Sequence, residues 1–414
     1  MQRIIAVNRF CWPDHSATSQ LLADLAEHLA GQGREVVIVA SRLRYDDAAA
    51  ALPAEETHEG VRIHRVWTSA FGRHFLPGRA VDYLTFYLMA LVALLRLARP
   101  GDTILAKTDP PLLSVVAWLA AKARGAKLVN WCQDLFPEVA AALGMGWAAG
   151  PAGRMLRALR NRSLRAAEAN VALCGRMAEH LAGEGVPQER IRIVHNWPDA
   201  AIRPVPREAN ALRREWGLEG KFVLGYSGNL GRAHAPGAVL ELVRSLRHMP
   251  NLCCLFIGGG AGIERLKAAA AEEGLDHLRF QPYQPRERLA ESLSVPDLHL
   301  VSLDPSCEGL LMPSKIYGIL AAGRPILFLG EAAGAVPRLP VPPGPSPILH
   351  AGAPAGLRRE LLSLANDPAR LARLGSSART AYETAFTPDA ALRAWAGVLG
   401  VGTETSGAAR REAA

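Results

Sequence analysis

Short apolar runs alternate with amphipathic segments along most of the chain. Ile4–Val7 and Val36–Val39 are continuous apolar runs of the length expected for parallel strands buried on both faces. Between them, leucines from Leu21 to Leu29 recur with helical spacing, and the glycines of Gly31–Gly33 are suited to ending a helix. A strand, a helix and a second parallel strand make a βαβ crossover. Its repetition predicts an α/β protein with doubly wound sheets.

The same pattern continues in two blocks. In the first block, further strands are predicted at Arg62–Val66, Thr103–Ala106, Lys127–Trp131, Ala169–Leu173 and Arg192–His195, with helices at Tyr83–Ala98 and Leu112–Ala123. In the second block, strands are predicted at Phe222–Tyr226, Cys253–Ile257, Leu278–Phe280, Leu298–Leu303 and Pro325–Leu329, with helices near Pro236–Leu246, Ile263–Glu273, Pro285–Leu293 and Ser314–Ala322. Two blocks of this kind predict two Rossmann-like domains.

A proline-rich connection separates the two blocks. Asn196–Asp199 and the prolines that follow it indicate a linker. We therefore predict an N-terminal domain over residues 1–200 and a second domain over residues 201–375. A C-terminal helix over 376–400 is expected to return toward the N-terminal domain, and the polar tail 401–414 is expected to be disordered. The two domains would face a central cleft, with ligands at the carboxyl ends of the strands.

The composition is that of a large globular protein. The chain has 414 residues, of which 49% are hydrophobic and 21% charged, and this excludes a disordered chain, a collagen and a coiled coil. The formal charge of +8 is divided evenly between the two halves, so we expect anionic ligands or lipid headgroups as partners and no nucleic acid. The cysteines lack metal-site spacing, and the apolar run Phe86–Leu95 is too short to span a bilayer. These features predict a cytoplasmic protein.

A glycine-rich turn, Gly228 to His234, follows the first strand of the second block and precedes a predicted helix. Glycines let backbone N–H groups approach a phosphate, and a helix N-terminus adds positive potential. Arg232 can add a bidentate contact to an anion. His234, taken alone, suits a structural role. The turn is therefore either an anion site or an ordinary connection between a strand and a helix.

A second candidate anion site lies between Glu308 and Gly318. Pro313 is placed as the first residue of a helix, where its missing N–H costs nothing, and Ser314 and Lys315 follow it. Glu308, in the preceding loop, can accept hydrogen bonds from sugar hydroxyls. The alternative is that Glu308 is a solvated loop carboxylate.

A third candidate follows the predicted strand Lys127–Trp131. Asp134 lies in the segment Gln133–Glu138, at the carboxyl end of that strand. A carboxylate in this place can position an acceptor hydroxyl or take its proton. The alternative is that Asp134 caps the turn that follows.

The order and spacing of these segments resemble the family-four glycosyltransferases of the GT-B fold. Four segments are similar to motifs of that family: Trp12–Gln20, Gln133–Glu138, Tyr226–Gly231 and Met312–Lys315. The resemblance is greatest to the branch that builds bacterial surface polysaccharides, which includes colanic-acid and fucosaminyl transferases. It extends over residues 1–395.

The resemblance implies a role for each candidate. The donor diphosphate would be held by residues of two motifs: Gly228, Asn229, Arg232, His234, Pro313, Ser314 and Lys315. The backbone around Tyr283 would pair with the nucleobase. Glu308 matches the first glutamate of the family's E-x7-E motif and would contact the transferred sugar, whereas Gly318 stands in place of the second glutamate. A loop containing Ser16, Thr18 and Ser19 would close on donor or acceptor.

A run of arginines predicts an amphipathic helix. Arg154, Arg157 and Arg160 belong to it, and on a helical wheel most of the arginines lie opposite an apolar arc that contains Met155 and Leu159. Such a helix can lie on an anionic membrane surface. The alternative is a solvated basic face whose apolar side packs in the core. A lipid-linked acceptor, which the resemblance implies, favours peripheral association with the inner face of the cytoplasmic membrane.

The resemblance implies a retaining transferase that moves a hexose, including an amino or deoxy sugar, from a nucleotide-diphosphate donor, UDP-linked, to a lipid-linked saccharide in O-antigen, capsule or exopolysaccharide biosynthesis. No Asp-x-Asp triplet is present, so we expect neither a metal nor another cofactor. Preorganised positive charge would stabilise the leaving diphosphate, in a front-face mechanism without a covalent intermediate. Two alternatives remain at this point: a nucleotide-sugar epimerase and a non-catalytic nucleotide-sugar-binding scaffold subunit.

Overall fold

The structure, a computed structural model, describes residues 3–14, 16–45, 47, 52–72 and 76–401. Its contacts divide the chain into two compact units. The first unit contains the residues up to His195 and those from Ala391 onward, and the second contains Asn196–Ala390. The tail predicted to be disordered, 401–414, lies outside the described residues except for Val401.

The first unit is built on an eight-stranded sheet with the order β3-β4-β2-β1-β5-β6-β7-β8. The strands are β1 Ile4–Val7, β2 Val36–Ser41, β3 Glu55–His58, β4 Val61–Val66, β5 Thr103–Lys107, β6 Lys127–Trp131, β7 Ala169–Ala172 and β8 Ile191–Ile193. All pairs are parallel except β3 with β4. Strand β1 is central, and all its residues are buried, which is why its sequence is continuously apolar.

Among the described residues, seven α-helices connect the strands of this sheet. They are α1 Ala17–Gly31, α2 Leu76–Leu97, α3 Leu113–Arg124, α4 Glu138–Ala142, α5 Gly146–Ala149, α6 Pro151–Ala166 and α7 Gly175–Gly183. Helix α2 packs on α3, and α3 packs on α6. Phe86 and Leu94 of α2 and Leu113 of α3 are fully buried in one core with Ile5 and Ile104 of the sheet. The three helices therefore form one layer over the sheet.

The second unit is built on a six-stranded parallel sheet with the order β11-β10-β9-β12-β13-β14. The strands are β9 Phe222–Asn229, β10 Leu252–Gly259, β11 Leu278–Gln281, β12 Leu298–Ser302, β13 Ile326–Leu329 and β14 Ile348–His350. The helices are α8 Ala211–Glu215, α9 Pro236–Ser245, α10 Ala261–Glu273, α11 Leu289–Ser294, α12 Lys315–Ala321, α13 Pro354–Ala365 and α14 Pro368–Ala381. The predicted α/β class with two largely parallel, doubly wound sheets is confirmed.

Some predicted elements differ from the observed ones. Helix α2 begins at Leu76, seven residues before the predicted start at Tyr83, because Pro77 is tolerated in the first turn of a helix. The edge strands β3 and β14 were not predicted, since their short polar or mixed sequences carry little periodic signal.

The C-terminal segment is not one helix over 376–400 as predicted. It contains the end of α14, a π-helical turn at Tyr382–Phe386 and α15 Pro388–Val398. Trp395 of α15 is fully buried, and its ring centre lies 4.6 Å from that of Trp131 on β6. This contact attaches the end of the chain to the first unit.

Candidate functional site

In the second unit, the ends of β9 and β10 approach each other closely. Gly228 has a φ of +112°, a conformation that residues with a side chain rarely adopt. A Cβ on Gly258 of β10 would lie 2.4 Å from the carbonyl oxygen of Gly228, so position 258 also requires glycine. The Leu230 N–H donates to the Gly259 carbonyl at 2.9 Å and continues the strand pairing into the turn. Backbone geometry therefore explains these glycines without any ligand.

The amine of Lys315 lies against this glycine turn. Its Nζ lies 3.6 Å from the centre of the Tyr226 ring, and a Cβ placed on Gly228 would be 4.0 Å from the same atom. The Nζ is shielded from solvent and, among the residues that the structure describes, has no hydrogen-bond partner. Burial holds the pKa of Lys315 well below its usual value. A buried ammonium without a partner is costly, so the arrangement is suited to an anion that would pair with it.

His234 lies beside Lys315 and is held as a neutral imidazole. Its Nδ1–H donates to the Ser302 carbonyl at 2.8 Å, and the Ser302 hydroxyl donates back to the His234 carbonyl. Burial, with a further contribution from the charge of Lys315, lowers the pKa of His234 to about 4. Because Nδ1 carries the proton, Nε2 is an acceptor that suits a hydroxyl group of a ligand.

The remaining residues of the turn are more exposed. The Asn229 side chain lies over Gly260, where a Cβ would be 2.1 Å from Asn229 Oδ1. Arg232 is exposed at the start of a 3₁₀ turn. Tyr283 is 61% exposed, with its ring edge beside Gly259. The structure thus brings Gly228, His234 and Lys315 together and leaves Asn229, Arg232 and Tyr283 at the surface around them.

The helix expected to begin at Pro313 begins two residues later. Lys315 is the first residue of α12, Ser314 is its N-cap without a side-chain capping bond, and Pro313 is buried in the preceding loop. Gly318 is also buried, since a Cβ there would be 3.1 Å from Leu293 Cδ1. A side chain at position 318 would press on Leu293, and Leu293 would have to shift by a few tenths of an ångström.

Glu308 is anchored to a neighbouring loop. The Ala335 N–H donates to its Oε2 at 2.9 Å, and its carboxylate lies so close to Gly334 that a Cβ there would be 2.1 Å from Oε1. The side chain is only half-buried. The interpretation of Glu308 as a purely solvated carboxylate is therefore wrong, because a backbone hydrogen bond holds it in one orientation.

In the first unit, Asp134 is exposed in the loop that follows β6. Solvent reaches its side chain, which lines a small cavity with Thr108 and Arg160. The surrounding protein, and to a smaller extent the negative charge of Asp109, raise the pKa of Asp134 to about 6. A carboxylate with this pKa can take a proton from a hydroxyl near neutral pH.

The loop before α1 is only partly available to a ligand. Thr18 donates from its hydroxyl to Asp109 Oδ2 at 3.2 Å, which brings it toward the Asp134 region. Ser16 is the N-cap of α1, and its hydroxyl lies 2.5 Å from that of Ser19. Ser19 is completely buried, so its assignment to a ligand-contacting loop was wrong. It packs inside the first turn of the helix.

Three polar groups shielded from solvent near the ends of strands were missed by the sequence analysis. Lys107, the last residue of β5, is buried and donates to the Thr18 carbonyl at 2.7 Å. Arg9 follows β1 and is only 8% exposed. Ser227 precedes Gly228, and among the described residues its buried hydroxyl has no partner. A charged or hydroxyl residue at the carboxyl end of an apolar run was the signal that could have identified all three.

The arginine helix is oriented differently from the prediction. Arg160 of α6 is 3% exposed and is paired with Glu138, so its assignment to a membrane surface was wrong. Arg157 is paired with Glu138 and Glu184, and this pairing lowers the pKa of Glu184 to about 2. Arg154 is exposed. The alternative interpretation placed the apolar residues Met155 and Leu159 in the core, but they are 66% and 37% exposed.

Two of these carboxylates belong to a cluster that resembles a metal site. Ligand atoms of Glu138, His180 and Glu184 lie within 4.8 Å of one another. The guanidinium groups of Arg157 and Arg160 already neutralise both carboxylates. The cluster is therefore an internal ion-pair network, which fixes α6 to its neighbours.

Comparisons with known proteins relate both the sequence and the fold to glycosyltransferases. Residues 17–197 match the family model of a glycosyl transferase 4-like domain. The chain is 32% identical over 246 residues to a probable glycosyltransferase, WbjE of Pseudomonas aeruginosa, covering 58% of this chain and 60% of that protein. It is 32% identical over 222 residues to a putative colanic acid biosynthesis glycosyl transferase, WcaI of Escherichia coli, covering 52% and 54%. The matches thus span little more than half the length of these two relatives.

The whole fold is similar to that of HepE from Anabaena, solved in complex with UDP. The TM-score is 0.72 at 15% identity, and the likeness covers 96% of this chain and all of HepE. At this identity the likeness concerns the fold alone. The resemblance drawn from the sequence motifs is confirmed: residues 17–197 match a glycosyl transferase 4-like domain, and the chain has the GT-B fold and is similar in sequence to the bacterial glycosyltransferases WbjE and WcaI.

Proposed function

We propose that this protein is a retaining glycosyltransferase that moves a hexose from a nucleotide-diphosphate sugar, UDP-linked, to a lipid-linked saccharide in surface-polysaccharide biosynthesis. The observation that carries the proposal is the buried, unpartnered amine of Lys315 against Gly228. UDP bound to HepE, a protein of the same fold, supports a nucleoside diphosphate as the anion that pairs with this amine.

The donor diphosphate would be neutralised by protein side chains. Lys315 supplies a charge that no described residue compensates, and Arg232 is exposed at the same turn. Backbone N–H groups around Gly228 can add hydrogen bonds to phosphate oxygens. We therefore propose transfer without a metal ion or other cofactor. Fixed positive charge in a buried place stabilises a leaving group strongly, because it needs no reorganisation during the reaction.

In the reaction, the bond between the sugar C1 and the β-phosphate oxygen breaks, and its electron pair leaves with the nucleoside diphosphate. An acceptor hydroxyl forms the new bond to C1 on the same face, so the configuration is retained. We assign the Nε2 of His234 and the carboxylate of Glu308 to hydroxyl groups of the transferred sugar. The hydroxyl proton of the acceptor passes to Asp134 or to an oxygen of the departing phosphate.

A lipid-linked acceptor requires contact with a membrane, and the layer α2–α3–α6 is suited to it. Apart from Arg157 and Arg160, which pair with Glu138 and Glu184, these helices contain seven basic residues and one acidic residue, Asp82, which is buried. Their outward faces carry exposed apolar side chains: Val81, Leu84, Leu88, Leu119, Met155 and Leu159. A basic surface with exposed apolar residues binds anionic lipid through both charge and burial.

Helix α2 is central to this layer. Among the described residues, Pro77–Leu97 is the one stretch long and apolar enough to cross a membrane, with a mean hydropathy of 1.7 and 28% of that window buried. One face of α2 is packed on the sheet through Phe86, Ala90 and Leu94. We therefore propose that α2 lies in the plane of the inner leaflet of the cytoplasmic membrane and does not span it.

Sedimentation with vesicles tests the membrane contact. Vesicles containing phosphatidylglycerol should retain the wild-type protein, and vesicles of phosphatidylcholine should retain less of it. Leu84→Ser and Leu88→Ser should weaken retention, whereas Ile193→Ser should not, since Ile193 is 49% exposed but lies on β8. Equal retention of all three variants would exclude this layer as the contact surface.

Calorimetric titration with UDP, GDP and dTDP tests the donor site. We expect one nucleotide to bind and Lys315→Met to lose that binding.

The stereochemistry of the product, followed by NMR on a lipid-linked acceptor, should show a retained anomeric configuration. A trapped covalent glycosyl-enzyme would contradict the front-face mechanism, and release of an epimerised nucleotide sugar without acceptor would favour the epimerase alternative. Binding without turnover in any assay would favour the scaffold alternative.

A further inference from the structure

A second site for an anion lies in the first unit, at the start of α2. A cavity of about 280 Å³ opens there between the loops that follow β1 and β2 and the first turns of α2. Its polar lining includes three arginines, Arg9, Arg44 and Arg79, together with Tyr83 and the carboxylates of Asp82 and Asp109. Ligand pockets for whole small molecules usually measure roughly 300–1,000 Å³. This cavity is therefore of a size for a compact polar group.

Arg9 is built into the wall of the cavity. It is 8% exposed, and its guanidinium lies 5.1 Å from the ring centres of both Phe10 and Tyr83. Its Nε is buried and, within the described part of the chain, has no hydrogen-bond acceptor. Burial also lowers the pKa of Arg9. A buried guanidinium in the wall of a cavity keeps positive charge there, and that charge favours an anionic group in the cavity.

The nearby carboxylate of Asp82 does not complete it. Asp82 lies 3.6 Å from Arg9, but it accepts hydrogen bonds from the Ser69 hydroxyl and from the N–H groups of Phe71 and Gly72. These bonds make Asp82 the anchor of the loop before α2. Arg79 is positioned by the Tyr83 hydroxyl, to which its Nε and Nη2 donate at 3.0 and 2.8 Å.

We propose that this cavity binds the diphosphate group of a polyprenyl-linked acceptor. The inference rests on the proposed function, because it names the part of the acceptor that the first unit recognises. Arginine is suited to phosphoryl groups, since its planar donors match their oxygens. Two features favour the acceptor over the donor as the source of the anion.

The first feature is helix α2 itself. Arg79 and Tyr83 line the cavity, while Val81, Leu84 and Leu88 of the same helix are exposed. A ligand with an anionic head and an isoprenoid chain matches a helix that offers both a polar cavity and an apolar face.

The second feature is Asp109. It lines the cavity, accepts the Thr18 hydroxyl and contributes to the raised pKa of Asp134. The cavity is thus adjacent to the carboxylate that we assign to the acceptor hydroxyl. The donor candidates Gly228, His234 and Lys315 all lie in the second unit.

Calorimetry in solution, with farnesyl diphosphate as the probe, tests this site. Wild-type protein should bind farnesyl diphosphate, farnesol should bind less well, and saturating UDP should not displace the probe. Arg44→Gln and Arg79→Gln should each weaken the binding of farnesyl diphosphate by about 10- to 100-fold, the effect of losing a charged hydrogen bond. Arg96→Gln, a change of an exposed arginine at the other end of α2, should leave it within about twofold, because Arg96 does not line the cavity.

The controls separate this proposal from the proposed function. Lys315→Met should lose UDP binding and keep farnesyl diphosphate binding. Arg79→Gln should keep UDP binding and weaken farnesyl diphosphate binding. Inorganic pyrophosphate should compete with the probe, and phosphate-free prenol should not. Unchanged probe binding in the Arg44 and Arg79 variants, or displacement of the probe by UDP, would overturn the site. If the wild-type protein does not bind UDP, the proposed donor is wrong, and the result for farnesyl diphosphate still stands.

Discussion

Two buried lysines, one in each unit, occupy similar surroundings with different outcomes. Lys107 ends β5, and its Nζ lies 3.8 Å from the centre of the Trp131 ring. Lys315 begins α12, and its Nζ lies 3.6 Å from the centre of the Tyr226 ring. Lys107 donates to the Thr18 carbonyl, and the charges of Asp109 and Asp24 partly offset its burial, so its pKa falls only to about 7. Lys315 has no comparable support among the described residues.

The difference separates a structural charge from one held for a ligand. Where a buried ammonium has a hydrogen-bond acceptor within the protein, it links two elements of the fold. Here the bond from Lys107 to the Thr18 carbonyl links β5 to α1. A protein that leaves the ammonium incomplete is less stable for it, and only a bound anion offsets that cost. The incomplete lysine is therefore the better marker of the donor site, although both are equally buried amines beside an aromatic ring.

The largest expected effect follows from removing the incomplete lysine. Lys315→Met should lower kcat/KM by about 10³-fold, because it removes a fixed charge from the leaving diphosphate. The free energy of unfolding without ligand should stay the same or rise by about 1–2 kcal/mol, since a buried amine without a hydrogen-bond partner is replaced by an apolar side chain. Steady-state kinetics and urea denaturation measure the two quantities. A clear loss of stability would show that Lys315 is structural after all.

The next largest effect concerns the proton acceptor in the unit of Lys107. Asp134→Asn should lower kcat by about 10²-fold and leave the affinity for UDP unchanged. Wild-type activity should fall as the pH drops below about 6, because the pKa of Asp134 is raised to about 6 and its protonated form cannot accept a proton. The pH profile of kcat measures this, and the variant should lack that acid limb. An identical limb in both proteins would assign it to another group.

The completed lysine should behave in the opposite way from Lys315. Lys107→Met should lower the free energy of unfolding by about 1–2 kcal/mol, because the hydrogen bond from Lys107 to the Thr18 carbonyl is lost, and should leave UDP affinity within about twofold. The pKa of Lys107 is about 7 in the folded protein and higher when unfolded, so the unfolded state binds more protons between these values. Stability of the wild type should therefore rise with pH above about 7 relative to the variant. Parallel stability curves would contradict the low pKa.

The smallest expected signal is a proton taken up when UDP binds. The pKa of Lys315 is low in the free protein, and a diphosphate beside it should raise that pKa. Binding near neutral pH should then be accompanied by uptake of up to about one proton. Calorimetry in buffers of different ionisation enthalpy measures it, with Lys107→Met as the control that keeps the uptake. The same apparent enthalpy in every buffer would mean that Lys315 is already charged.

Several parts of the site could be predicted from the sequence, and the reasons for the failures are specific. The apolar runs identified the strands that lead to Gly228 and to Asp134, since a strand buried on both faces must be continuously apolar. The arginine helix was correctly located, but its orientation was not: periodicity shows which residues share a face and does not show which face meets the core. Arg160 is buried because Glu138 is there to pair with it, and Glu138 lies 22 residues away.

The sequence by itself determined the α/β architecture, the approximate ends of most strands and the glycine turn beside Lys315, because these depend on local periodicity and on backbone conformations that few residues adopt. Only the tertiary structure decided which charges are completed. The Thr18 carbonyl that satisfies Lys107 comes from a segment 89 residues away, and the cavity beside Arg9 is formed by four separate segments. Whether a buried charge is satisfied depends on such distant partners, and that cannot be read from the residues next to it in the chain.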